Sequence, residues 1–276
     1  MSRPCLDSCT MQHKAKKALG QNFLKSAQAV RDIIRAGEVD KKDTVLEIGP
    51  GKGALTEALL ETGATVVAIE KDRDLFQYLS EKFQKEIITK RLILIAGDAL
   101  EFDPTEQNLQ NTSYKLIANI PYNITGLIFR KFFESYNQPE RMVLLVQKEV
   151  AERIVARDGK ESILSISVKI YGTPKIIAKV PARYFSPSPK VDSAIIAITN
   201  ISRNCFKNKK REAKFFNLLH VGFAHKRKVL IKNLEDGLGV SKEKMESVWG
   251  AINLPKTIRA EKLQNKDWLQ LLQLLF

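Results

Sequence analysis

The chain has 276 residues, enough to bury a sizeable core in one large domain or two. It is strongly basic, with 45 Lys and Arg against 31 Asp and Glu and a net charge of +14, which favours a polyanionic partner such as nucleic acid. Its three cysteines show neither a zinc-ligand spacing nor a disulfide framework, so we expect a reducing, cytoplasmic location. No run of 18 apolar residues indicates a membrane span, and we predict a disordered tail at residues 1–13.

Between residues 43 and 147, short apolar runs alternate with segments of helical periodicity. The runs that we predict as strands are 45–48, 65–69, 92–95, 116–118 and 142–146. The helices predicted between them are 54–61, 72–83 and 125–134. This alternation is typical of βαβ units and predicts an α/β fold with a mainly parallel, doubly wound sheet.

The composition of the chain changes near residue 200. Residues 148–172 are predicted as further helix, and 191–198 as a late strand after a Pro-rich turn. Beyond this strand, Leu, Lys and Glu dominate at helical spacing. We therefore place a boundary near residue 203 and predict a small α-helical domain at 204–276.

A glycine-rich turn of sequence EIGPGKG, residues 47–53, follows the first strand of this pattern. Gly49, Gly51 and Gly53 let the backbone turn sharply and approach a ligand closely. Glu70 ends the next strand, where a carboxylate can accept both hydroxyls of a ribose. The combination indicates a nucleoside cofactor and leaves NAD and S-adenosylmethionine open.

The strand at 116–118 leads into Asn119, Ile120, Pro121 and Tyr122. Asn119 offers an amide oxygen to an exocyclic amine, Pro121 stiffens the turn, and Tyr122 offers an aromatic face to a base. Asp98, just after the strand at 92–95, can accept the amine of a cofactor's adenine. Together these residues favour methyl transfer to the exocyclic amine of a nucleobase.

Two further motifs extend this pattern: GQNFL at residues 20–24 and FSPSPKVDS at residues 185–193. With the motifs above, the chain from about residue 17 to its end resembles the KsgA/RsmA type of ribosomal RNA adenine dimethyltransferase. The resemblance implies a Rossmann-like class I methyltransferase domain at 14–203, which binds S-adenosylmethionine, and a helical rRNA-binding domain at 204–276.

The resemblance also implies roles for individual residues. Those implied to bind the cofactor are Gln21, Asn22, Leu24, Gly49, Gly51, Gly53, Glu70, Asp98 and Asn119. Those implied in catalysis are Asn119, Ile120, Pro121, Tyr122 and Phe185. In this arrangement Asn119 and a backbone carbonyl of Ile120 or Pro121 accept from the target amine, while Tyr122 and Phe185 sandwich the base.

The chemistry of methyl transfer to an adenine amine indicates which groups the enzyme has to supply. The N6 lone pair of adenine is delocalised into the ring, and hydrogen bonds from the amine to Asn119 and a carbonyl favour a more nucleophilic nitrogen. S-adenosyl-L-methionine supplies an already activated methyl group and leaves as S-adenosyl-L-homocysteine, so we expect no metal. Catalysis then depends on positioning and electrostatics.

A basic segment spans residues 205–232, with nine Lys or Arg residues and one acid. This concentration favours phosphate contacts, which position RNA without reading its bases. The residues that we predict to bind RNA are Lys207, Lys209, Lys210, Arg211, Lys226, Arg227 and Lys228.

We expect a monomer that dimethylates two adjacent adenosines in a hairpin loop near the 3′ end of 16S rRNA, in the immature small ribosomal subunit. Three alternatives stay open at this point. One is a macrolide-resistance type of enzyme that methylates 23S rRNA, disfavoured by residues 223–230 and 259–263, which look like the small-subunit branch. The others are a mainly non-catalytic assembly or transcription factor and an NAD-dependent dehydrogenase.

Overall fold

The computed structural model describes residues 15, 16, 19–111 and 113–276, so the tail predicted at 1–13 lies outside the described residues. Its strands are β1 (Phe23–Leu24), β2 (Thr44–Ile48), β3 (Thr65–Glu70), β4 (Leu92–Ala96), β5 (Lys115–Asn119), β6 (Arg141–Gln147), β7 (Thr173–Val180), β8 (Phe185–Ser186) and β9 (Ser193–Thr199). Its helices are α1 (Ala27–Gly37), α2 (Ala54–Glu61), α3 (Arg73–Lys82), α4 (Gln84–Ile88), α5 (Thr125–Glu134), α6 (Lys148–Val155), α7 (Ile163–Lys169), α8 (Lys209–Gly222), α9 (Leu230–Leu238), α10 (Lys242–Ile252) and α11 (Asn265–Leu275).

A seven-stranded sheet of order β4-β3-β2-β5-β6-β9-β7 forms the centre of the molecule. Strands β2 to β6 run parallel, whereas β9 is antiparallel to β6 and β7 is antiparallel to β9. The predicted mainly parallel α/β sheet is therefore confirmed. Strands β1 and β8 form a separate antiparallel pair.

Helices cover both faces of this sheet, because successive strand residues point to opposite sides. On one face, Ile33 of α1 and Leu59 of α2 pack with Val45 and Val66 of the strands. The opposite face carries α5, α6 and α7, together with the helices that follow residue 203. Within the described part of the chain, no helix is both long and apolar enough to cross a membrane.

The C-terminal helices share a continuous core with the second face of the sheet. The ring of Tyr171 stacks between Phe133 of α5, at 5.2 Å, and Phe216 of α8, at 6.1 Å between ring centroids. Below them, the Tyr171 hydroxyl donates to the buried carboxylate of Glu212 over 2.5 Å, and Arg203 donates to the same group. The helical region is thus held to the sheet by both apolar and ionic contacts.

The strand order also decides where a ligand can bind. From β2 the chain builds outward through β3 and β4, then returns to place β5 and β6 on the other side of β2. The helices on either side diverge at such a reversal and leave a crevice beyond the carboxyl ends of the strands. The segments after β2 and β5 meet at this crevice.

Candidate active site

A cavity at the carboxyl edge of the sheet brings the sequence motifs together. Its walls are built from residues 19–24, 47–52, 69–71, 97–100 and 119–124. Four of these segments lie at the ends of β2, β3, β4 and β5 and converge because parallel strands end at the same edge of a sheet, and segment 19–24 lies against them.

The glycine-rich turn forms the floor beside β2. Gly51 has a φ of +61°, and a Cβ at this position would lie 3.0 Å from the ring of Phe23, so both conformation and space require glycine. Gly53, which the resemblance implies as a cofactor-binding residue, has a packing role in this structure. It does not line the cavity, and a Cβ there would lie 2.6 Å from Phe83, so this glycine lets α2 pack closely against the neighbouring helix.

Glu70 lies at the end of β3 with its carboxylate turned into the cavity wall. Its two oxygens accept the backbone N–H groups of Gly51 at 3.0 Å and Asp72 at 2.9 Å. Burial raises the pKa of Glu70, and these two hydrogen bonds oppose the rise. Each oxygen keeps a further lone pair, which suits a carboxylate that receives ribose hydroxyls.

Asp98 closes another side of the cavity after β4. One carboxylate oxygen accepts the backbone N–H of Leu100 at 2.9 Å, and the other pairs with the Lys71 ammonium at 2.7 Å. The hydrogen bond from Lys71 holds the pKa of Asp98 below its usual range. The side chain is therefore a fixed acceptor on the cavity wall.

Asn119 lies at the end of β5, where its Nδ2 donates to the main-chain carbonyl of Asn22 over 3.0 Å. That donor orients the amide, so its Oδ1 is the atom left to accept a further hydrogen bond. Ile120 is buried below it, and Pro121 adopts an extended conformation that turns the chain toward Tyr122.

Tyr122 is half-buried at the mouth of the cavity. Its hydroxyl and the Oγ of Ser193 on β9 are 2.6 Å apart. Ser193 is fully buried, so it fixes one end of the Tyr122 ring. Ser193 is the last residue of the motif FSPSPKVDS, and the motif alone indicates no role for it.

Phe185 does not line the cavity. Its side chain is only 2% exposed and packs with Leu24 and Val180 in the core on the α1 face of the sheet. The expectation that Phe185 forms the second face of a base sandwich is therefore not met in this structure. Phe185 lies on β8, which pairs with β1, and the aromatic residues that line the cavity are Phe23 and Tyr122.

The N-terminal segment 19–24 covers the cavity from above. Gln21 donates through Nε2 to Asp72 over 2.9 Å, and Lys16 forms an ion pair with the same carboxylate at 2.7 Å. Asn22 and Leu24 line the cavity beside it. The three residues expected to close over a cofactor thus lie on this covering segment.

Glu47 also lines the cavity, although no role for it follows from the sequence motifs. It is 1% exposed on β2 and accepts a hydrogen bond from the Thr56 hydroxyl at 2.7 Å. Burial raises the pKa of Glu47 to about 8. An acid inside an otherwise apolar strand was the signal that could have identified it.

A family model described as ribosomal RNA adenine dimethylase matches residues 12–275. The chain belongs to the ribosomal RNA adenine dimethylase family. It is therefore an rRNA adenine methyltransferase, and family and fold together imply S-adenosylmethionine as the methyl donor.

Individual dimethylase relatives agree with this assignment. A protein of Dehalococcoides mccartyi named ribosomal RNA small subunit methyltransferase A is 41% identical over 258 residues, which cover 94% of this chain and 87% of that protein. A dimethyladenosine transferase of Plasmodium falciparum is 27% identical, with a TM-score of 0.74 over 90% of this chain and 95% of that one. The 23S rRNA methyltransferase ErmE, at 23% identity and a TM-score of 0.73 over 92% of this chain and 99% of that one, shares the fold.

The polar side chains at the cavity fit S-adenosylmethionine, the methyl donor that the dimethylase family implies. Glu70 presents buried acceptors at the end of β3, Asp98 presents another on the next wall, and no atom lies within 4 Å of where a Cβ of Gly49 would point. Among the described residues, no cluster of three or more His, Cys, Asp or Glu side chains could hold a metal ion.

The basic residues predicted to bind RNA fall into two groups at the two ends of α8. Lys207, Lys209, Lys210 and Arg211 lie at the start of α8, whereas residues 226–228 follow its end. A helix of 14 residues separates the two groups by roughly 21 Å at 1.5 Å per residue. The single basic region of the sequence thus becomes two basic groups.

Proposed function

We propose that this chain dimethylates the N6 amines of two adjacent adenosines in a hairpin loop near the 3′ end of 16S rRNA, within the immature small ribosomal subunit. The observation that carries the proposal is the oriented amide of Asn119 beside Tyr122 at the mouth of the cavity. A flat base with an exocyclic amine is the substrate that such a pair can both stack and orient.

Recognition of the methyl donor would use the walls of the same cavity. We assign the ribose to Glu70, the adenine to Asp98, and the amino-acid part to the turn at Gly49 and Gly51. Gln21, Asn22 and Leu24 would cover it from the N-terminal segment. When bound, S-adenosylmethionine supplies an electrophilic methyl group.

The protein's contribution is to hold the target nitrogen in line. Asn119 Oδ1 accepts one amine hydrogen, and the backbone carbonyl of Ile120 or Pro121 accepts the other. Both contacts draw the lone pair out of conjugation with the ring. Tyr122, fixed by Ser193, supports the face of the base. No strong base is needed, because the alkylated amine is acidic enough to lose its proton to water.

We propose the small subunit, and not 23S rRNA, as the substrate because of the relatives, since the fold does not decide between them. The curated relatives at 35–42% identity carry the name ribosomal RNA small subunit methyltransferase A. The 23S rRNA enzyme ErmE has nearly the same fold, so the fold alone does not distinguish the two substrates. An enzyme with this substrate acts in the cytoplasm during ribosome biogenesis, and we expect it to act as a monomer.

RNA docking would use both basic groups of the helical region, at 207–211 and 226–228. Their cations supply phosphate contacts that carry no sequence information. Specificity for an adenine then comes from extruding an unstacked loop base into the cavity.

The test uses radiolabelled S-adenosylmethionine with immature small subunits and, in parallel, with large subunits that lack their adenine methylation. We expect two adjacent N6,N6-dimethyladenosines in 16S rRNA. Label in 23S rRNA would replace this proposal with the macrolide-resistance reaction. Absence of label in both, with cofactor binding intact, would indicate a binding protein.

A further inference from the structure

Tyr136 is an aromatic residue that the reaction does not use. It lies in the connection between α5 and β6 and is 70% exposed. Two cations lie against its ring: the Lys209 ammonium at 4.4 Å and the Arg203 guanidinium carbon at 5.4 Å from the ring centroid. Cations at these distances are attracted by the ring quadrupole and hold the ring in place while most of it faces solvent.

The two cations are held differently. Arg203 is only 17% exposed and forms an ion pair with the buried Glu212, so its position is fixed and its charge is balanced. Lys209 is an exposed residue at the start of α8 and can move away from the ring. The patch therefore combines a fixed planar group, an aromatic ring and a displaceable cation.

The net charge around the patch is positive. Lys207, Lys209 and Lys210 are all exposed within four positions of one another. Lys209, Lys210 and Arg211 occupy the first turn of α8, where the helix dipole disfavours cations. A polyanion bound beside this turn would relieve that unfavourable placement, which is an argument for charge complementarity with RNA.

The patch is remote from the methyl-transfer cavity. Helix α5 begins three residues after Tyr122, at Thr125, and its 10 residues run to the opposite edge of the sheet, about 15 Å away at 1.5 Å per residue. Strand β9 runs antiparallel to β6 and brings the chain to that same edge before Arg203. By contrast, Lys226 lies across a groove from Glu149 and Arg153 of α6, which begins at the carboxyl edge.

We propose that Tyr136, Arg203 and Lys209 form a second rRNA contact, in which Tyr136 stacks on an unpaired base while Lys207 and Lys210 bind the neighbouring phosphates. An exposed ring among cations suits single-stranded RNA, because every base has a face that can stack. This inference rests on the proposed action on rRNA and adds a contact at the edge of the sheet opposite the cavity. A substrate that reaches both edges has to be a large folded RNA or a ribonucleoprotein.

The first experiment measures binding to immature small subunits at one fixed salt concentration. Tyr136→Ala should weaken binding by about 5- to 100-fold, the range for loss of one base–aromatic stack, whereas Tyr136→Phe keeps the ring face and should stay within about 2-fold. Ile88→Ala removes a residue of similar exposure, 73%, and serves as the matched control. Unchanged binding by Tyr136→Ala, or equal losses for the Ala and Phe variants, would overturn the proposal.

The second experiment does not depend on the ribosomal substrate. A single-stranded RNA oligonucleotide that contains 2-aminopurine should lose fluorescence on binding, because the base stacks on the ring. We expect this quenching to persist in Tyr122→Ala and to disappear in Tyr136→Ala. Quenching that survives in Tyr136→Ala excludes the patch, whatever the outcome for methylation. Failure of the wild-type protein to methylate small subunits, with quenching as expected, would reject the proposed function alone.

Discussion

The side-chain amide of Asn119 is oriented by the main-chain carbonyl of Asn22, over a distance of 3.0 Å. Only Nδ2 can donate to a carbonyl, so the contact leaves Oδ1 as the acceptor for the target amine. The residue that selects the substrate is thus positioned by a segment that lies 97 positions away and covers the cavity.

Replacing Asn119 by Ala should therefore separate catalysis from cofactor binding. We expect methyl transfer to fall by about 100-fold or more, the effect of removing one well-placed polar group in an active site. S-adenosylmethionine affinity, measured by calorimetry, should change by less than about 5-fold. Asn217→Ala, on an exposed position of α8, is the control. Normal turnover by Asn119→Ala would refute the role of this amide.

Tyr122 and Ser193 should behave as one unit. Tyr122→Phe and Ser193→Ala each remove the same 2.6 Å hydrogen bond, so each should raise KM for RNA by roughly 5-fold, as expected for about 1 kcal/mol. The double variant should be no worse than either single variant. Additive effects in this double-mutant cycle would show that the bond does not position the ring.

Glu70 should control cofactor affinity. Glu70→Gln keeps the shape of the side chain but exchanges one carboxylate acceptor for a donor, which conflicts with the N–H groups of Gly51 and Asp72. We expect the dissociation constant for S-adenosylmethionine to rise by about 10-fold or more, the range for hydrogen bonds to a charged group. Glu81→Gln, at an exposed position of α3, should leave this constant unchanged.

Glu47 should make the stability of the protein depend on pH. The pKa of Glu47 is raised from 4.5 to about 8, so the folded state retains a proton that the unfolded state releases above pH 4.5. The stabilisation is complete below pH 4.5 and is lost as pH rises toward 8, by a few kcal/mol in all. Glu47→Gln should flatten this dependence in urea denaturation between pH 5 and pH 8. An identical pH profile for Glu61→Gln and Glu47→Gln would contradict this explanation.

Glu212 should hold the C-terminal helices to the sheet. Glu212→Ala leaves the Arg203 guanidinium and the Tyr171 hydroxyl without their shared acceptor in a buried position. We expect the free energy of unfolding to fall by about 3–5 kcal/mol, the cost of breaking a buried ion pair from one side. Glu246→Ala, at an exposed position of α10, should cost far less. Equal losses for both variants would rule out the buried network as the cause.

The central strands and several helices could be predicted because their signals are local. Helices α2 and α5 agree with the predicted ranges, since apolar spacing and the preceding turns define both ends. Strand β7 was predicted neither as strand nor as helix: it lies at the sheet edge and contains Pro174, Lys175 and Lys179, residues typical of an exposed edge.

The site was predicted less completely than the fold. Four of the motifs predicted the cavity walls, because they lie at the ends of β2, β3, β4 and β5 and parallel strands end at one edge. Burial, in contrast, is a tertiary property. The sequence could show neither that Phe185 turns inward nor that Gly53 packs against Phe83, and it could not show that α8 separates the two basic groups.

The short β1–β8 pair joins two parts of the site that are far apart in the chain. Leu24 of the covering segment pairs with Phe185, and Phe23 pairs with Ser186 of the loop that leads to Ser193. Displacement of the covering segment during cofactor exchange would therefore disturb the Ser193 contact that holds Tyr122 and the Asn22 contact that orients Asn119. We expect the site of the target adenine, at Asn119 and Tyr122, to loosen each time S-adenosylhomocysteine leaves and to re-form when S-adenosylmethionine binds. An enzyme that must exchange donor between two transfers to the same nitrogen would thereby gain an interval in which the monomethylated amine can rotate.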